Sequence, residues 1–237
     1  MSELWAYVET LAAPGSVTLE PDEARHVVSR RLRTGDALKV FDARGSVAPA
    51  RLSTLSKKVA TVEIESIEEF ERPQAGFQLA TAIPKGERLS TMLQMWTQLG
   101  CEVWQPLICD DSSSRKLDIG SPRIQRILIE SCKVARRPWA MEILPPLRLD
   151  RALETRRQEE ALYFADREGS RDGFELGAGW VFVGPEAGFS EAEVSILEDA
   201  GARPVSLGDY NLRIETAGVA AMVAFNLTRR RSIDGSE

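Results

Sequence analysis

Two stretches near the end of the chain decide its fold: VFVGPEAGFSEAEV at residues 181–194 and SLGDYNLRIETAGVAAM at residues 206–222. Each combines a short apolar segment, a glycine-bearing turn and the start of a helical pattern. The carboxyl ends of parallel strands meet at one edge of an α/β sheet, and ligands usually bind there. We therefore expect the two turns to bring backbone amides and carbonyls together around one small ligand.

From residue 77 onward the chain alternates short apolar segments with helical patterns. This alternation is typical of a mainly parallel α/β sheet that carries helices on both faces. The predicted strands are FQLATAI, VWQPLIC, ALYFADR, WVFVG and RPVSL, and the predicted helices lie at residues 87–99, 122–136, 191–200 and 215–229. Both glycine turns then follow the carboxyl ends of predicted strands.

The first seventy residues follow a different pattern, with short β segments and one helix at residues 22–33. Residues 59–67 show an approximate alternation of apolar and polar side chains, which indicates a half-buried antiparallel strand. The run EEFERPQAG at residues 68–76 then introduces charge, a proline and a glycine, and it predicts a linker. We expect two domains, a small β-barrel at residues 1–70 and an α/β domain at residues 74–237.

The composition is that of a soluble globular protein, since 43% of the 237 residues are apolar and 28% are charged. The longest apolar run is too short for a membrane span, and the first residues, MSELWAYVET, lack the features of a signal peptide. Three cysteines cannot all pair, so we expect a cytoplasmic protein. Cys101, Cys109, Cys132 and the one histidine, His26, have no metal-ligand spacing, and we expect no metal.

The net charge is −6, but basic residues are concentrated in two blocks. Residues 25–39 hold five basic side chains against one acidic, and residues 115–137 hold seven against two. Within the second block the basic residues recur at three- and four-residue intervals, which places them along one face of a helix. Such a face is either an ordinary solvated surface or one that follows a phosphate backbone.

The first turn, from Gly184 to Gly188, precedes Ser190, a helix N-cap with Glu193 three residues later. Its glycines permit positive φ and close backbone approach, as a cofactor-binding loop requires. The same residues also make an ordinary turn before a capped helix, and both interpretations stay open. Neither turn matches a phosphate-binding or dinucleotide-binding signature, which argues against nucleotide binding by those routes.

The second turn leads into a helix that is apolar on nearly every face at residues 217–225. Such a helix must be covered on all sides. Its small residues let another backbone approach closely, which suits tight core packing and a subunit interface alike.

The chain contains, in this order, Gly35-Asp36, Lys85-Gly86, Thr97-Gln98-Leu99-Gly100, Arg137, Gly184-Pro185-Glu186-Ala187-Gly188-Phe189-Ser190, Leu207-Gly208 and Leu212-Arg213-Ile214-Glu215-Thr216-Ala217. In order and spacing these motifs resemble the bacterial RsmE family of the SPOUT superfamily. Members of that family methylate N3 of a uridine in small-subunit ribosomal RNA. The resemblance spans nearly the whole chain.

The resemblance implies a PUA-like β-barrel followed by a SPOUT domain whose chain forms a trefoil knot. It also implies a homodimer that binds S-adenosylmethionine in the knot and acts on ribosomal RNA or the small ribosomal subunit. The cofactor-binding residues that we expect from it are Val183, Gly184, Pro185, Glu186, Gly188, Leu207, Gly208, Asn211, Leu212 and Thr216.

Three residues are candidates for the chemistry. We expect the Arg213 guanidinium to stabilise negative charge on the uracil carbonyls. Glu186 and Glu215 are candidates to orient the cofactor or accept a proton, although Glu215 is also a favourable carboxylate in a first helical turn. The residues expected to contact RNA are Arg30, Arg31, Arg33, Lys85, Arg115, Arg123, Arg126, Lys133 and Arg137.

The chain departs from the family pattern at several positions. Ala187 stands where glycine is usual, Asn211 where an aliphatic residue is usual, and further departures are Met95, Gln98, Val134 and Met141. The cofactor turn follows the pattern better than the elements that face RNA. Two alternatives therefore stay open: a SPOUT methyltransferase acting on another RNA, at a transfer RNA or a ribose 2′-hydroxyl, and a non-catalytic RNA-binding assembly factor.

Overall fold

A computed structural model describes residues 4–56, 59–73, 77–156, 160–171 and 179–234. The chain divides into two compact units, the first comprising Met1–Arg72 and Ile129–Ala140 and the second Pro73–Leu128 and Met141–Glu237. In the described ranges, no helix is both long and apolar enough to cross a membrane.

The first unit is built on a mainly antiparallel sheet. Its elements are β1 (Trp5–Tyr7), β2 (Gly15–Leu19), α1 (Pro21–Ser29), β3 (Ala37–Phe41), β4 (Ser46–Leu55), β5 (Ala60–Ile64) and β6 (Glu68–Glu69). The strand order is β1-β3-β4-β5-β2, with β6 paired to β4, and β1 pairs with β3 in parallel. The β segments and the helix predicted for this region are confirmed, and β6 forms within the predicted linker.

Side-chain alternation explains this sheet. On β5 the side chains of Ala60, Val62 and Ile64 are buried, whereas Thr61 and Glu63 lie on the other face. The buried face joins residues of β3, β4 and α1 in one apolar core. The strand predicted from the pattern at residues 59–67 is therefore a half-buried antiparallel strand.

The second unit is built on a sheet in which every described strand pair is parallel. Its elements are β7 (Phe77–Ala82), α2 (Glu87–Leu99), β8 (Val103–Ile108), α3 (Pro122–Ala135), β9 (Glu142–Ile143), β10 (Leu147–Arg148), α4 (Leu149–Glu154), β11 (Ala161–Ser170), β12 (Gly179–Val183), α5 (Glu191–Asp199), β13 (Arg203–Val205) and α6 (Ile214–Asp234). The strand order is β10-β8-β7-β12-β11-β13, with β9 also paired to β8. The predicted parallel α/β sheet is confirmed.

Strand β12, which leads into the first glycine turn, lies inside the sheet between β7 and β11. All five of its residues are buried, as is typical of a strand covered on both faces. The neighbouring strand β11 is paired to β12 on one side and to β13 on the other. Strands β12 and β13, which precede the two turns, are thus separated by one strand.

Helix α6 is covered mainly by α2 and by strands β7 and β12. Gly218 lies against the indole of Trp96, where an added Cβ would be 2.3 Å from the Trp96 Cζ2 atom. Phe225 packs on Phe77 with ring centroids 4.7 Å apart. The small residues of α6 therefore serve core packing, while Val223 and Leu227 remain 41% and 57% exposed.

Residues Ile129–Ala140, the end of α3 and the turn after it, belong to the first unit. Cys132 is buried with Trp5 and Phe41, and the Trp139 ring lies where a Cβ on Gly45 would be, at 2.4 Å. The predicted division into two consecutive segments assigns residues 129–140 to the second domain, whereas the structure has them in the first unit. The cause is long-range packing, which periodicity along the chain does not report.

Several short elements were not predicted from the sequence. Strands β9 and β10 and helix α4 have two, two and six residues, too few for a period to be recognised. Strand β11 continues to Ser170, three residues beyond the predicted strand ALYFADR at residues 161–167. The expected trefoil knot stays a prediction.

Candidate functional site

Both glycine turns line one cavity of about 390 Å³ at the carboxyl end of β12, beside the middle of β11. This volume falls in the range of small-molecule sites, which is roughly 300–1,000 Å³. The first turn contributes residues 183–189 and the second contributes residues 207, 208 and 210–212. The sequence-based expectation that the two turns converge is confirmed.

The first turn is tight because its ends fold onto each other. The Gly188 amide donates a hydrogen bond to the Pro185 carbonyl at 2.9 Å, and Gly188 has a φ of +87°. A Cβ on Gly184 would lie 2.9 Å from the Phe189 amide nitrogen, so a side chain there would open the turn. Ala187, where the family pattern has glycine, is not among the described non-glycine residues with positive φ, and it is exposed.

A capping box holds the end of the first turn. The Ser190 side chain accepts a hydrogen bond from the Glu193 amide, and the Glu193 carboxylate accepts one from the Ser190 amide at 2.9 Å. The second Glu193 oxygen accepts a hydrogen bond from the Asp110 amide at 3.0 Å, and Ser190 Oγ donates to the Asp110 carboxylate at 3.1 Å. Helix α5 and Asp110, two residues beyond the end of β8, therefore fix this end of the turn.

The second turn is fixed differently. Ser206 Oγ donates a hydrogen bond to the Gly208 carbonyl at 3.2 Å, and Arg171 pairs with Asp209 at 2.8 Å. Tyr210 is 84% exposed. Where α6 begins, Trp96 Nε1 donates to the Glu215 carbonyl at 3.3 Å, which ties the helix start to α2.

Nine of the ten predicted cofactor-binding residues line the cavity, and Thr216 does not. Thr216 is exposed, and its neighbour Ala217 lines the cavity instead, because successive helical residues point in different directions. Sequence reasoning missed the middle of β11, which contributes Phe164, Ala165, Asp166 and Arg167. No signal marks them, since their role depends on β11 lying beside β12.

The carboxylate of Glu186 is paired. Arg88, in the first turn of α2, donates a hydrogen bond from Nη1 to Glu186 Oε1 at 2.5 Å. This bond, together with one from the Glu186 amide, holds the pKa of the Glu186 carboxyl below its usual value. The pairing with Glu186 raises the pKa of the Arg88 guanidinium, and the negative charge of Glu215 raises it further. A carboxylate held in its charged form is a weak proton acceptor.

The other two predicted catalytic residues lie at the start of α6. Arg213 is exposed, whereas Glu215 is buried. The Glu215 Oε2 atom has no hydrogen-bond partner among the described residues. Glu186 lines the cavity but is paired with Arg88, and Glu215 does not line the cavity, so neither is a free carboxylate facing it.

The predicted RNA-contacting residues fall into three groups. Arg123 and Arg126 line a groove of about 430 Å³ with Glu87 and Ser90, to which Arg123 Nη2 donates hydrogen bonds at 2.9 and 3.0 Å. The second group lies on the surface of its own unit and is exposed or half-buried. The exposed members are Arg30, Arg31, Arg33, Lys85 and Arg115, and the half-buried one is Arg137.

Lys133 forms the third group, and its placement corrects the expectation that it contacts RNA. It is buried in the first unit, where its Nζ pairs with Glu23 at 2.7 Å and with Glu130 at 2.6 Å. Its helical spacing groups Lys133 with the exposed basic residues. The sequence does not show the pairing, because Glu23 lies 110 positions away. An ammonium group held between two carboxylates is not available for a phosphate.

All three cysteines are buried and none forms a disulfide, and burial raises the pKa of the Cys109 thiol to about 12. A thiol with this pKa is protonated at neutral pH and is a poor nucleophile. The part of the chain that the structure describes contains no group of three or more His, Cys, Asp or Glu side chains that could hold a metal ion.

Comparisons with known proteins agree with this architecture. Residues 71–226 match the model of the RNA methyltransferase domain, and residues 19–65 match that of the RNA methyltransferase PUA domain. Two relatives are ribosomal RNA small subunit methyltransferases E. The protein from Synechocystis is 30% identical over 83% of this chain and 67% of its own. The protein from Aquifex aeolicus is 28% identical over 85% of this chain and 90% of its own.

A similar solved structure is that of a ribosomal RNA small subunit methyltransferase E from Neisseria gonorrhoeae bound to S-adenosyl methionine. It is 27% identical, has a TM-score of 0.84 and covers 96% of this chain and 98% of its own. A PUA domain, a parallel α/β domain and a two-turn cavity together define the class of RNA methyltransferases. Within that class, the chain belongs to the ribosomal RNA small subunit methyltransferase E family, RsmE.

Proposed function

We propose that this protein is an S-adenosylmethionine-dependent methyltransferase that modifies N3 of a uridine in small-subunit ribosomal RNA. The observation that carries the proposal is the convergence of both glycine turns on one cavity in a chain of the RsmE family. Three buried cysteines that form no disulfide suit a reducing compartment, and we place the protein in the cytoplasm.

The residues around the cavity fit the cofactor. Gly208 has open space where a side chain would project, so the backbone of the second turn is accessible to a ligand. Phe164, Val183 and Leu207 provide apolar walls, which suit an adenine ring and exclude water. Bound there, S-adenosylmethionine would supply a methyl group on a positively charged sulfur. The residues proposed to hold it are the nine that line the cavity, with Ala217 in place of Thr216.

Arg213 provides the electrostatic part of the reaction. Uracil N3 becomes nucleophilic when its proton passes to solvent water, and negative charge then spreads to the adjacent carbonyl oxygens. A guanidinium offers two parallel donors for such oxygens and keeps its charge at all relevant pH values. Arg213 is exposed beside cavity residues Leu212 and Asn211, so it can meet a base brought to this edge. Glu186 and Glu215 are assigned to orienting their neighbours.

The RNA strand is proposed to contact the basic residues that remain accessible. In the second unit, Arg123 and Arg126 line a groove of about 430 Å³, and Lys85 and Arg115 add exposed charge. In the first unit, the arginines at positions 30, 31 and 33 are exposed. Such contacts fix the RNA without reading its sequence, and the target base must leave its stack to reach the cavity.

A second copy of the chain is the proposed partner of α6. Val223 and Leu227 on that helix, and Tyr210 and Leu212 in the second turn, are apolar or aromatic and between 37% and 84% exposed. Exposed apolar residues grouped in this way are typical of subunit interfaces. Sedimentation equilibrium tests the proposal: wild type should be a dimer and Leu227→Asp a monomer.

Two measurements test the activity. Mass spectrometry of ribosomal RNA from cells without the protein should show the loss of one N3-methyluridine from the small-subunit RNA. Loss of a methyl group from a transfer RNA or a ribose would instead favour another substrate. Calorimetry with the purified protein should show binding of S-adenosylmethionine, and absence of binding would favour a non-catalytic assembly factor.

Arg213→Ala tests the electrostatic role. This variant should bind S-adenosylmethionine as wild type does, but its kcat should fall by about 100-fold or more, the usual cost of removing a donor that stabilises developing charge. Arg213→Lys should be intermediate, because lysine keeps the charge without the planar fork. Wild-type turnover by Arg213→Ala would exclude Arg213 from the mechanism.

A further inference from the structure

Arg88 was not identified from the sequence, and it is the residue that links α2 to the first glycine turn. It lies one residue into α2, next to Glu87. Its guanidinium donates to Glu186 Oε1 at 2.5 Å, across 98 positions of sequence. The side chains of Arg88 and Glu186 are 31% and 44% exposed, so both atoms of the pair are near the surface.

The position of Glu186 within the turn gives this pair its importance. Strand β12 holds one end of the turn, and the Ser190 capping box holds the other. Between them, residues 186–188 are exposed. The Gly188-to-Pro185 hydrogen bond stays within the turn and does not attach it to the rest of the unit. The Arg88 contact attaches the middle of the turn to a helix.

The same carboxylate also accepts a hydrogen bond from its own amide. The Glu186 side chain therefore fixes the backbone at residue 186 on one side and contacts Arg88 on the other. Because Gly184, Pro185, Glu186, Ala187 and Gly188 line the cavity, any change in this backbone changes the cavity wall.

We propose that Arg88 is a positioning residue: it holds the Glu186 carboxylate against α2 so that the backbone of the 184–188 turn keeps the shape that lines the cavity. The proposal rests on the proposed function in one respect, the binding of S-adenosylmethionine in this cavity. Arg88 acts through Glu186 and the turn, and it does not itself line the cavity.

The size of the effect follows from the exposure of the pair. Partly exposed ion pairs contribute modestly, and the upper end of their range corresponds to about a fivefold change in an equilibrium constant. Arg88→Gln should therefore weaken S-adenosylmethionine binding about fivefold. The KM for the cofactor should rise by the same factor, while kcat at saturating cofactor should stay near that of wild type, because Arg88 does not touch the reacting atoms.

The test is a double-mutant cycle measured by calorimetry with S-adenosylmethionine. Arg88→Gln should weaken binding about fivefold. Glu186→Gln removes the same pair together with the carboxylate that lines the cavity, so it should weaken binding at least as much, and the double variant should be no weaker than Glu186→Gln alone. Arg88→Lys should recover part of the loss. The matched control is Arg151→Gln, which removes an exposed pair with Glu154 at 2.8 Å that lines neither cavity nor groove, and it should bind as wild type.

A second measurement needs no cofactor. In the unliganded protein, Arg88→Gln should raise hydrogen exchange at the amides of residues 186–188 about fivefold, whereas Arg151→Gln should leave it unchanged. Additive losses in the cycle, or unchanged exchange in Arg88→Gln, would overturn the positioning role. If wild type itself does not bind S-adenosylmethionine, the proposed function fails, and the exchange measurement still decides whether Arg88 holds the turn.

Discussion

The contact between Gly218 and Trp96 allows a stability prediction in which two effects of opposite sign compete. In an unobstructed helix, replacing glycine by alanine stabilises by about 1 kcal/mol. At position 218 the added Cβ would lie 2.3 Å from Trp96 Cζ2 and 2.4 Å from Cε2. Atoms cannot approach this closely, so either the ring or the helix must move.

Trp96 has little freedom to move. It is fully buried, its Nε1 donates to the Glu215 carbonyl at 3.3 Å, and its ring meets that of Trp104 edge-on at 6.0 Å. Inserting a methyl group into such packing costs typically 1–3 kcal/mol, and loss of the Trp96 hydrogen bond adds about 1 kcal/mol. After the helical gain is subtracted, Gly218→Ala should destabilise the protein by about 2 kcal/mol, with a midpoint of thermal unfolding lower by roughly 6 °C.

Calorimetric or fluorescence-detected unfolding measures this effect, with Gln98→Ala on the exposed face of α2 as the control. The cause is tested in a Trp96→Phe background, where the indole atoms that meet the Cβ are absent. There, Gly218→Ala should cost less than about 1 kcal/mol. A Gly218→Ala variant as stable as wild type, or an equal loss in both backgrounds, would refute the reasoning.

Two further predictions concern the charged cluster of the first unit. Lys133→Met should lower the free energy of unfolding by about 3 kcal/mol, because it leaves the Glu23 carboxylate buried without its cation. In urea unfolding, a Lys133→Met/Glu23→Leu double variant should recover most of this free energy. A loss below about 1 kcal/mol in Lys133→Met alone would contradict the prediction. Burial and the Lys133 ammonium lower the pKa of His26, Arg30 adds to this, and Glu23 and Glu130 oppose it. The unfolded chain therefore takes up this proton first as the pH falls below 6.5, and the native state loses stability there. His26→Asn should lose less stability than wild type between about pH 7.5 and about pH 5.5, and an equal loss would exclude His26 as the cause.

Local patterns predicted most of the secondary structure because the residues at and next to each boundary determine where a helix or strand ends. Helix α2 occupies residues 87–99, as predicted, since Gly86 precedes it and Gly100 ends it with a φ of +92°. The Ser190 capping box likewise marks the start of α5. The resemblance to the RsmE family, carried by short ordered motifs, was confirmed by relatives over most of the chain.

The pairing of charges was beyond sequence reasoning. The spacing of Lys133 matches that of the exposed basic residues on its helix. Its side chain is nevertheless buried, because it pairs with Glu23 in another helix. Glu186 was expected to act on a cofactor or a proton, and its pairing depends on Arg88. Charge type and spacing are visible in a sequence, but the distance between residues about a hundred positions apart is not.

The sequence by itself determined which segments are strands and helices, where the two glycine turns lie and to which family the chain belongs. The tertiary structure alone decided that the turns share one cavity, that the middle of β11 completes its wall, and that residues 129–140 return to the first unit. The physical reason is that hydrogen-bond geometry and side-chain periodicity act over a few residues. The order of strands in a sheet is set instead by packing among distant segments, and that order places β11 beside β12.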